Sequence, residues 1–479
     1  MRGKAIQQLR SALAGLRPPA VTWAWLVTCA LLAAGFIACL ALNLPGHLSY
    51  DSIVQLWQGR VGVYNTWHPP VMAWMLGLAD SVLPGASLFV VFDAALLYGS
   101  FLALLALQPS PRWRVALVAL VWTLSPQGLI YPGIVWKDVL FAAVTVAGFA
   151  ALAHAELNWP DRRRRVAALA IAGLLVATAA LARQNGVVVL ACASAAVAVI
   201  AARGGGRFVR SALIHGIGFL AATGLVVIAA NAALAMRGDG EPAAAYQIQD
   251  LQAYDLIAAV KAEPGLPLPR LHRISPSLEL LMRTDGVAAY SPSRMDSIQL
   301  AQRLQAGMLT VTAEDIAAEW RDLIINHPVL YLRVRAAAFG WVFLTPELDQ
   351  CLPVYVGVDG PQPMMGRLGL KSRASVLDDR LEAYALSLED TPIYSHVAYA
   401  ILALVMLALL LLRRRGADIA MAGLLASALA FTATFFIISV SCDYRYLYAL
   451  DVAVIAAAFY MAMGVTPSLR DGEGARARP

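Results

Sequence analysis

One pattern repeats along the sequence: long runs of apolar residues, each near the ~20 residues a helix needs to cross a bilayer, separated by short polar breaks. The first run is about Val21 to Leu42. Others follow at about Ser87 to Leu107, Trp113 to Ile130, Val139 to Ala155, Val166 to Ala182, Gly186 to Ala202, Leu213 to Leu234, Val397 to Leu412, Ile419 to Val440 and Leu447 to Met463. Backbone N–H and C=O groups find no water in hydrocarbon, so each run must satisfy its own hydrogen bonds as a helix. Composition agrees: 59% of the 479 residues are hydrophobic and 14% charged, with a mean hydropathy of +0.65, too apolar for a soluble chain of this length. The expected fold is an all-α polytopic membrane protein with about ten crossings.

The net charge of +6 would point to acidic partners in a soluble protein. Here the basic residues lie in short clusters between apolar runs, so they report topology, and nucleic acid is not an expected partner. Arg2, Lys4, Arg10 and Arg17 place the N-terminus in the cytoplasm. Arg112 and Arg114, Arg162 to Arg165, Arg203 to Arg210, Arg413 to Arg415 and Arg470 to Arg478 fall on the same side, which puts the C-terminus there too. The first run reads as a retained signal anchor. The count holds only if Val71 to Leu83 does not cross fully, so that stretch is expected to be a re-entrant or interfacial helix. The external side then receives Leu44 to Pro70, Ser125 to Asp138, Arg183 to Asn185, Ser441 to Tyr446 and a large piece from about Ala235 to His396. Three parts result: a transmembrane module over 1–235 that carries the first external loop (44–70), an external, mostly helical domain over 236–396, and C-terminal helices with a cytoplasmic tail over 397–479.

The first external loop stands out. From Ile53 to Gln58 it fits an amphipathic helix, with Asp51, Gln55 and Gln58 on one face and Ile53, Val54 and Trp57 on the other. Such a helix lies flat on a membrane and holds Asp51 at its start. His68-Pro69-Pro70 then turns the chain back into apolar sequence. In the large external piece, Thr312 is a natural N-cap with Asp315 three residues behind it. Of five cysteines, Cys29, Cys39 and Cys192 lie in apolar runs. Cys351 and Cys442 share the external side and are candidate disulfide partners. The absence of CxxC or Cys/His clusters argues against a structural zinc site. No internal repeat is evident, and the fingerprints G-x-G-x-x-G and G-x-x-x-x-G-K-[ST] are missing. Gly204 to Gly206 reads as a flexible connector, and Met364-Met365-Gly366 as packing.

Four features together resemble the GT-C class of membrane glycosyltransferases, which includes the protein O-mannosyltransferases and the lipid A aminoarabinose transferases. They are an acid in the first external loop, an HPP turn after it, Trp136-Lys137-Asp138-Val139-Leu140 opening the fourth span, and Tyr444-Arg445-Tyr446 opening the last. The resemblance covers mainly the first seven spans and the large external loop. The Glu-Trp-Arg to His-Pro stretch around Trp320 is similar to an uncharacterised branch of bacterial membrane glycosyltransferases. Asp51 stands alone where many members carry an Asp-Glu pair, so a divalent metal ion is left open and no cofactor is named. The resemblance implies a GT-C fold and an inverting enzyme in a bacterial inner membrane. It would take a sugar from a polyprenyl-phosphate donor to an extracytoplasmic glycan, lipid or protein acceptor, among membrane lipids.

Each candidate residue carries two readings. Asp51 is the catalytic base, deprotonating the acceptor as the phosphate leaves, or it merely caps the helix that follows. Lys137 holds the donor phosphate with Asp138 orienting the loop, or it is a snorkelling lysine with its counter-ion. Arg445 grips the phosphate bidentately with Tyr444 and Tyr446 stacking on lipid or sugar, or it pairs with Asp443. Arg183 is a second phosphate contact or an ordinary loop arginine. His68 contacts substrate or a metal, or is a turn residue bonding backbone. Gln55, on the Asp51 face, joins the residues that contact or orient substrate. Two rival functions remain. A transporter or flippase of lipid-linked sugars would need charged or Gly/Pro-broken residues near span midpoints, which are scarce. An O-antigen ligase-like polymerase is disfavoured by the early Asp51 and the HPP turn.

Overall fold

The computed structural model describes residues 22–203, 208–240 and 243–464. The N-terminal basic residues, those from Arg470 onward, Arg207 and the Gly204 to Gly206 connector lie outside the described residues. The longer helices are, in order, α1 (Trp23–Asn43), α2 (Tyr50–Val61), α3 (Pro70–Val82), α4 (Ser87–Leu105), α5 (Arg114–Leu124), α6 (Lys137–Leu157), α7 (Arg162–Ala182), α8 (Val187–Arg203), α9 (Phe208–Ala235), α10 (Ala243–Ala262), α11 (Ala313–Asn326), α12 (Pro328–Leu344), α13 (Val376–Leu386), α14 (His396–Arg413), α15 (Asp418–Ile438) and α16 (Tyr448–Met463). Among the described residues, β-pairing is limited to isolated bridges. The fold is all-α and multi-pass: among the described residues nine helices, α1, α4, α6 to α9 and α14 to α16, are long and apolar enough to cross a membrane.

The expected third span is not one straight helix. Arg114–Leu124 and Pro126–Gly133 meet at a bend of 69°. Pro126 pushes Ser125 into an extended conformation (ψ 148°), which ends α5 there. The carbonyls at this break are taken up by side chains, one local and one distant: Ser125 Oγ donates to Trp122 O at 2.9 Å, and the Tyr384 hydroxyl donates to Leu124 O.

Contacts at the two ends of the bundle decide whether the bent pair counts as a crossing. At one end, Arg112 N–H donates to Met463 O, Arg203 pairs with Glu156, Glu156 accepts from Ala420 N–H, and Asp418 binds both Arg413 and the Tyr460 hydroxyl. At the other end, His47 N–H donates to Gly133 O, and Asp51 meets Arg445. The described members of the basic clusters therefore share one end of the bundle. This requires α5 with its bent continuation to carry the chain across once.

Helix α3 does not cross, as expected. Its 13 residues reach ~20 Å, short of the ~30 Å hydrocarbon core. Both its ends also sit on the side of Asp51: Pro70 follows His68, and Asp80 forms a two-pronged pair with Arg60, which also donates to Leu368 O. A Cβ on Gly59 would strike the Ala73 carbonyl, and one on Gly77 the Gly59 carbonyl, so glycines at both places let α2 and α3 lie backbone to backbone.

The amphipathic reading of α2 is corrected. The helix runs from Tyr50 to Val61 and buries Ser52, Ile53, Gln55 and Leu56, so Gln55 is on the packed side and not on an open polar face. The rest of the protein covers the helix on that side. Residues 357–359 pair with Leu48 and Arg373 above it, and Gly360 sits against Ile53 and Tyr50.

Two apolar cores form. The larger joins the bundle to residues 342–394, while the smaller is built from residues 253–338. Cys351 and Cys442 form a disulfide with Cα atoms 4.9 Å apart. Thr312 and Asp315 make the expected capping box at the start of α11. Within the bundle, α6 and α16 are enclosed on nearly all sides, and small residues such as Ala142, Ala143, Gly148, Ala453 and Ala456 allow that close approach.

Candidate active site

The two central helices both begin at the end of the bundle where Asp51 lies, and each delivers charged residues there. Lys137 and Asp138 are the first two residues of α6, and Arg445 lies in the single 3-10 turn leading into α16. Both helix dipoles point their positive ends at this region, a setting that favours anions.

Helix α2 supplies Asp51. The cap of this helix is Ser49, whose N–H donates to Ser52 Oγ at 3.2 Å, and Ser52 in turn donates to Val135 O at 2.6 Å. Asp51 is therefore released from capping. Its Oδ2 accepts from Arg445 Nη2 at 2.8 Å, and its Oδ1 lies 3.6 Å from His68 Nε2. His68 Nδ1 is 3.0 Å from Lys137 Nζ. An ammonium only donates, so Nδ1 accepts and the Nε2–H faces Asp51. Three segments distant in sequence thus form one line: Lys137, then His68 and Asp51 of the 44–70 loop, then Arg445.

Arg445 is shared among three acids. Besides Asp51 it contacts Asp443 at 2.9 Å and Asp138 at 3.8 Å, and its guanidinium lies 4.7 Å over the Trp136 ring. Trp136 is fixed by donating Nε1–H to Ser49 Oγ at 3.0 Å. The Asp51 side chain keeps 28% of its surface exposed, while that of Arg445 keeps 10%. The carboxylate is thus the partner open to an incoming ligand.

Electrostatics follow from these contacts. Burial pushes the Asp51 carboxyl up, but His68 and the charges of Arg445 and Lys137 outweigh it and hold it well below the ordinary carboxylate range. Asp51 is ionised at any ordinary pH. Burial and the Lys137 charge lower the His68 ring to about 4 against the pull of Asp51, so the ring is neutral.

The other expected residues divide. Asp138 is buried and forms an ion pair with Arg183. Arg183 is enclosed by the Phe431, Phe435 and Tyr446 rings at 5.3 to 5.7 Å. It therefore backs the site through Asp138, and its guanidinium is already engaged. Tyr446 stacks on Phe435 and lies beside both arginines. Tyr444 turns the other way: its hydroxyl donates to Asp451 at 2.6 Å, its ring stacks on His396, and Asp451 also meets His396 at 3.1 Å. Tyr444 thus anchors the turn from below. Gln55 donates to the Asp51 carbonyl at 3.2 Å and supports the helix carrying Asp51.

Several contributors had no sequence signal. His47 Nδ1 accepts Gly357 N–H at 2.9 Å and its Nε2 bonds Asn43 Oδ1, tying the 44–70 loop to a segment 310 positions away. Arg373 donates to Gly46 O at 3.1 Å in the same junction. The value of Trp136 as a platform also depends on where the Arg445 turn lands.

Among the described residues, no group of three or more His, Cys, Asp or Glu is arranged to hold a metal ion. Asp51 and His68 form a pair whose outward partners are cations, a poor setting for a divalent ion.

No protein-family model matches the chain, and no curated protein matches it. Among solved structures, the Archaeoglobus fulgidus oligosaccharyltransferase in complex with Zn and sulfate is similar at 15% identity and a TM-score of 0.39, over 90% of this chain and 48% of its own. The archaeal oligosaccharyltransferase AglB from the same organism, in complex with an inhibitory peptide and a dolichol-phosphate, is similar at 14% identity and a TM-score of 0.38, over 94% and 53%. The chain spans about half the length of each.

Proposed function

We propose that this protein is a GT-C class glycosyltransferase of a bacterial inner membrane, with its termini in the cytoplasm and its site on the opposite face. It moves a sugar from a polyprenyl-phosphate carrier to a glycan, lipid or protein acceptor. The observation that carries the reading is the line Lys137, His68, Asp51, Arg445: a partly exposed carboxylate set between two cations at the head of the two central helices.

The chemistry follows from that arrangement. The acceptor hydroxyl or amide attacks the anomeric carbon, the bond from that carbon to the phosphate oxygen breaks, and the configuration inverts. The acceptor proton goes to Asp51 while the phosphate monoester leaves with the bonding pair. Before a donor binds, Asp51 is a weak base because His68, Arg445 and Lys137 hold its carboxyl down. A donor phosphate bound to those two cations offsets their charge and restores basicity to Asp51 when the acceptor needs it. Arg445 and Lys137 stabilise the charge that develops on the leaving phosphate, and Asp138 with Arg183 fixes the first turn of α6. No step calls for a metal in this scheme.

The test uses labelled polyprenyl-phosphate sugar and the purified protein, following transfer or slow hydrolysis by water. Asp51→Asn keeps size and most hydrogen bonding but removes the base, so turnover should fall by about 100-fold or more with donor binding retained. Full activity in Asp51→Asn would sink the catalytic assignment. Translocation of the lipid-linked sugar without transfer or hydrolysis would favour the flippase instead.

A further inference from the structure

Arg335, in the middle of α12, is completely buried, yet it belongs to the external domain and touches none of the residues lined up at Asp51. Its Nη1 donates to Asp255 Oδ1 at 2.8 Å, its Nε to Phe436 O at 3.0 Å, and its Nη2 to Ser439 O at 2.7 Å. The second Asp255 oxygen accepts Trp320 Nε1–H at 2.9 Å. The guanidinium therefore caps the C-terminal carbonyls of α15, where the helix dipole is negative, with a counter-ion held by α10 and α11. Burying such a pair costs desolvation that packed apolar side chains would avoid.

The segment just beyond those carbonyls gives the pair a purpose. Residues 440–443 connect α15 to the turn that carries Arg445, and the external domain grips them repeatedly. Cys442 N–H donates to Ser293 O at 2.9 Å, Ser441 pairs with Arg294, and Cys442 is joined to Cys351. Arg294 in turn donates to Gln350 O at 2.8 Å, next to that disulfide. On the far side of Arg445 the chain runs into α16, which the bundle anchors: the Tyr448 hydroxyl donates to Gln127 O at 2.8 Å, and Asp451 of the same helix takes the Tyr444 hydroxyl. Arg445 is strung between a clamp made by the external domain and an anchor made by the bundle.

We propose that Arg335, held by Asp255, and the Cys351–Cys442 disulfide are positioning elements that set Arg445 over Trp136 for the donor phosphate. Through them the external domain governs donor affinity. The proposal rests on the reading of Arg445 as a phosphate contact. It also explains the Trp320 stretch, whose indole fixes the counter-ion of Arg335.

The test measures the Kd of full-length protein in lipid nanodiscs for a polyprenyl phosphate without sugar, as oxidised wild type, reduced wild type, Arg335→Lys, and Arg445→Ala with and without each change. Arg335→Lys cannot reach three partners at once. It is expected to weaken binding on the order of tenfold, since a misplacement near 1 Å at a charged contact has effects of that size or larger. Reduction should act in the same direction and be reversed by reoxidation, which keeps the test valid if Arg335→Lys folds poorly. In Arg445→Ala neither change should weaken binding further by more than about twofold, because both act through the missing side chain. Unchanged wild-type affinity after both reduction and Arg335→Lys would overturn the proposal. So would an equal loss in the Arg445→Ala background, which marks a general structural effect. If oxidised wild type binds no polyprenyl phosphate, the donor reading itself falls and takes this proposal with it.

Discussion

Arg335 and Arg445 lie on either side of residues 436–444 and are both buried, but they are partnered in opposite ways. Arg335 spends its donors on two backbone carbonyls, the Ser439 hydroxyl and one fully buried carboxylate. Arg445 faces three carboxylates, and one of them, Asp51, is partly open to the surface. A cation satisfied by backbone cannot exchange its partners without unravelling the helix end it caps. A cation shared among carboxylates, one of them partly exposed, can release that one to an incoming anion. Burial alone does not separate a structural arginine from a ligand-binding one; the chemistry of the partners does.

The largest expected effect tests the first half of this contrast. Arg335→Ala leaves Asp255 charged and buried without a counter-ion, so stability should fall by about 3 to 5 kcal/mol, measured by thermal or denaturant unfolding in detergent. A loss no larger than that of an average surface substitution would break the comparison. Arg445→Ala probes the other half. Donor affinity and turnover should drop together by about 2 to 4 kcal/mol, because a charge-assisted contact is removed and three acids are left facing the phosphate. Its stability should change far less than that of Arg335→Ala, since Asp51 and Asp443 can turn to water and Asp138 retains Arg183. Equal stability losses in the two variants would erase the distinction.

A smaller effect concerns the two histidines that tie down the 44–70 loop. Burial, aided by Arg373 and Lys137 respectively, lowers His47 and His68 to about 4 from the ordinary 6.5. The unfolded chain binds more protons than the fold between those values, so their contribution is complete above 6.5 and is lost as pH falls toward 4. The unfolding temperature should decline over that window and stay level above it. A flat profile from 6.5 down to 4 would mean that the loop tolerates charged imidazoles, and hence that Gly357 N–H does not depend on His47.

Much of the fold was legible in the sequence because the bilayer leaves few solutions to runs of apolar residues. The spans, the shared side of the described basic clusters, the non-crossing Val71 to Leu83 stretch and the Thr312 cap all follow from local composition and from hydrogen-bond satisfaction. Lys137 and Arg445 each stand beside a predicted span end, and Asp51 lies in the loop after the first span, so sequence marked all three as charges at one end of the bundle, where the structure brings them together. The break at Ser125-Pro126 was written locally but masked by the apolar residues around it. The placement of Gln55 inside the packed face of α2 was not written locally at all, because it depends on a strap from residues 357–373 that closes over the loop. Tyr444 and Tyr446 are two residues apart and chemically alike, yet one anchors the turn on Asp451 while the other lies between two arginines. Sequence determined which segments cross and which ends carry charge, since those depend on one helix and the solvent around it. Only the tertiary structure decided which acid each arginine meets, because those pairings join positions up to 394 residues apart, whose proximity is fixed by how the helices pack.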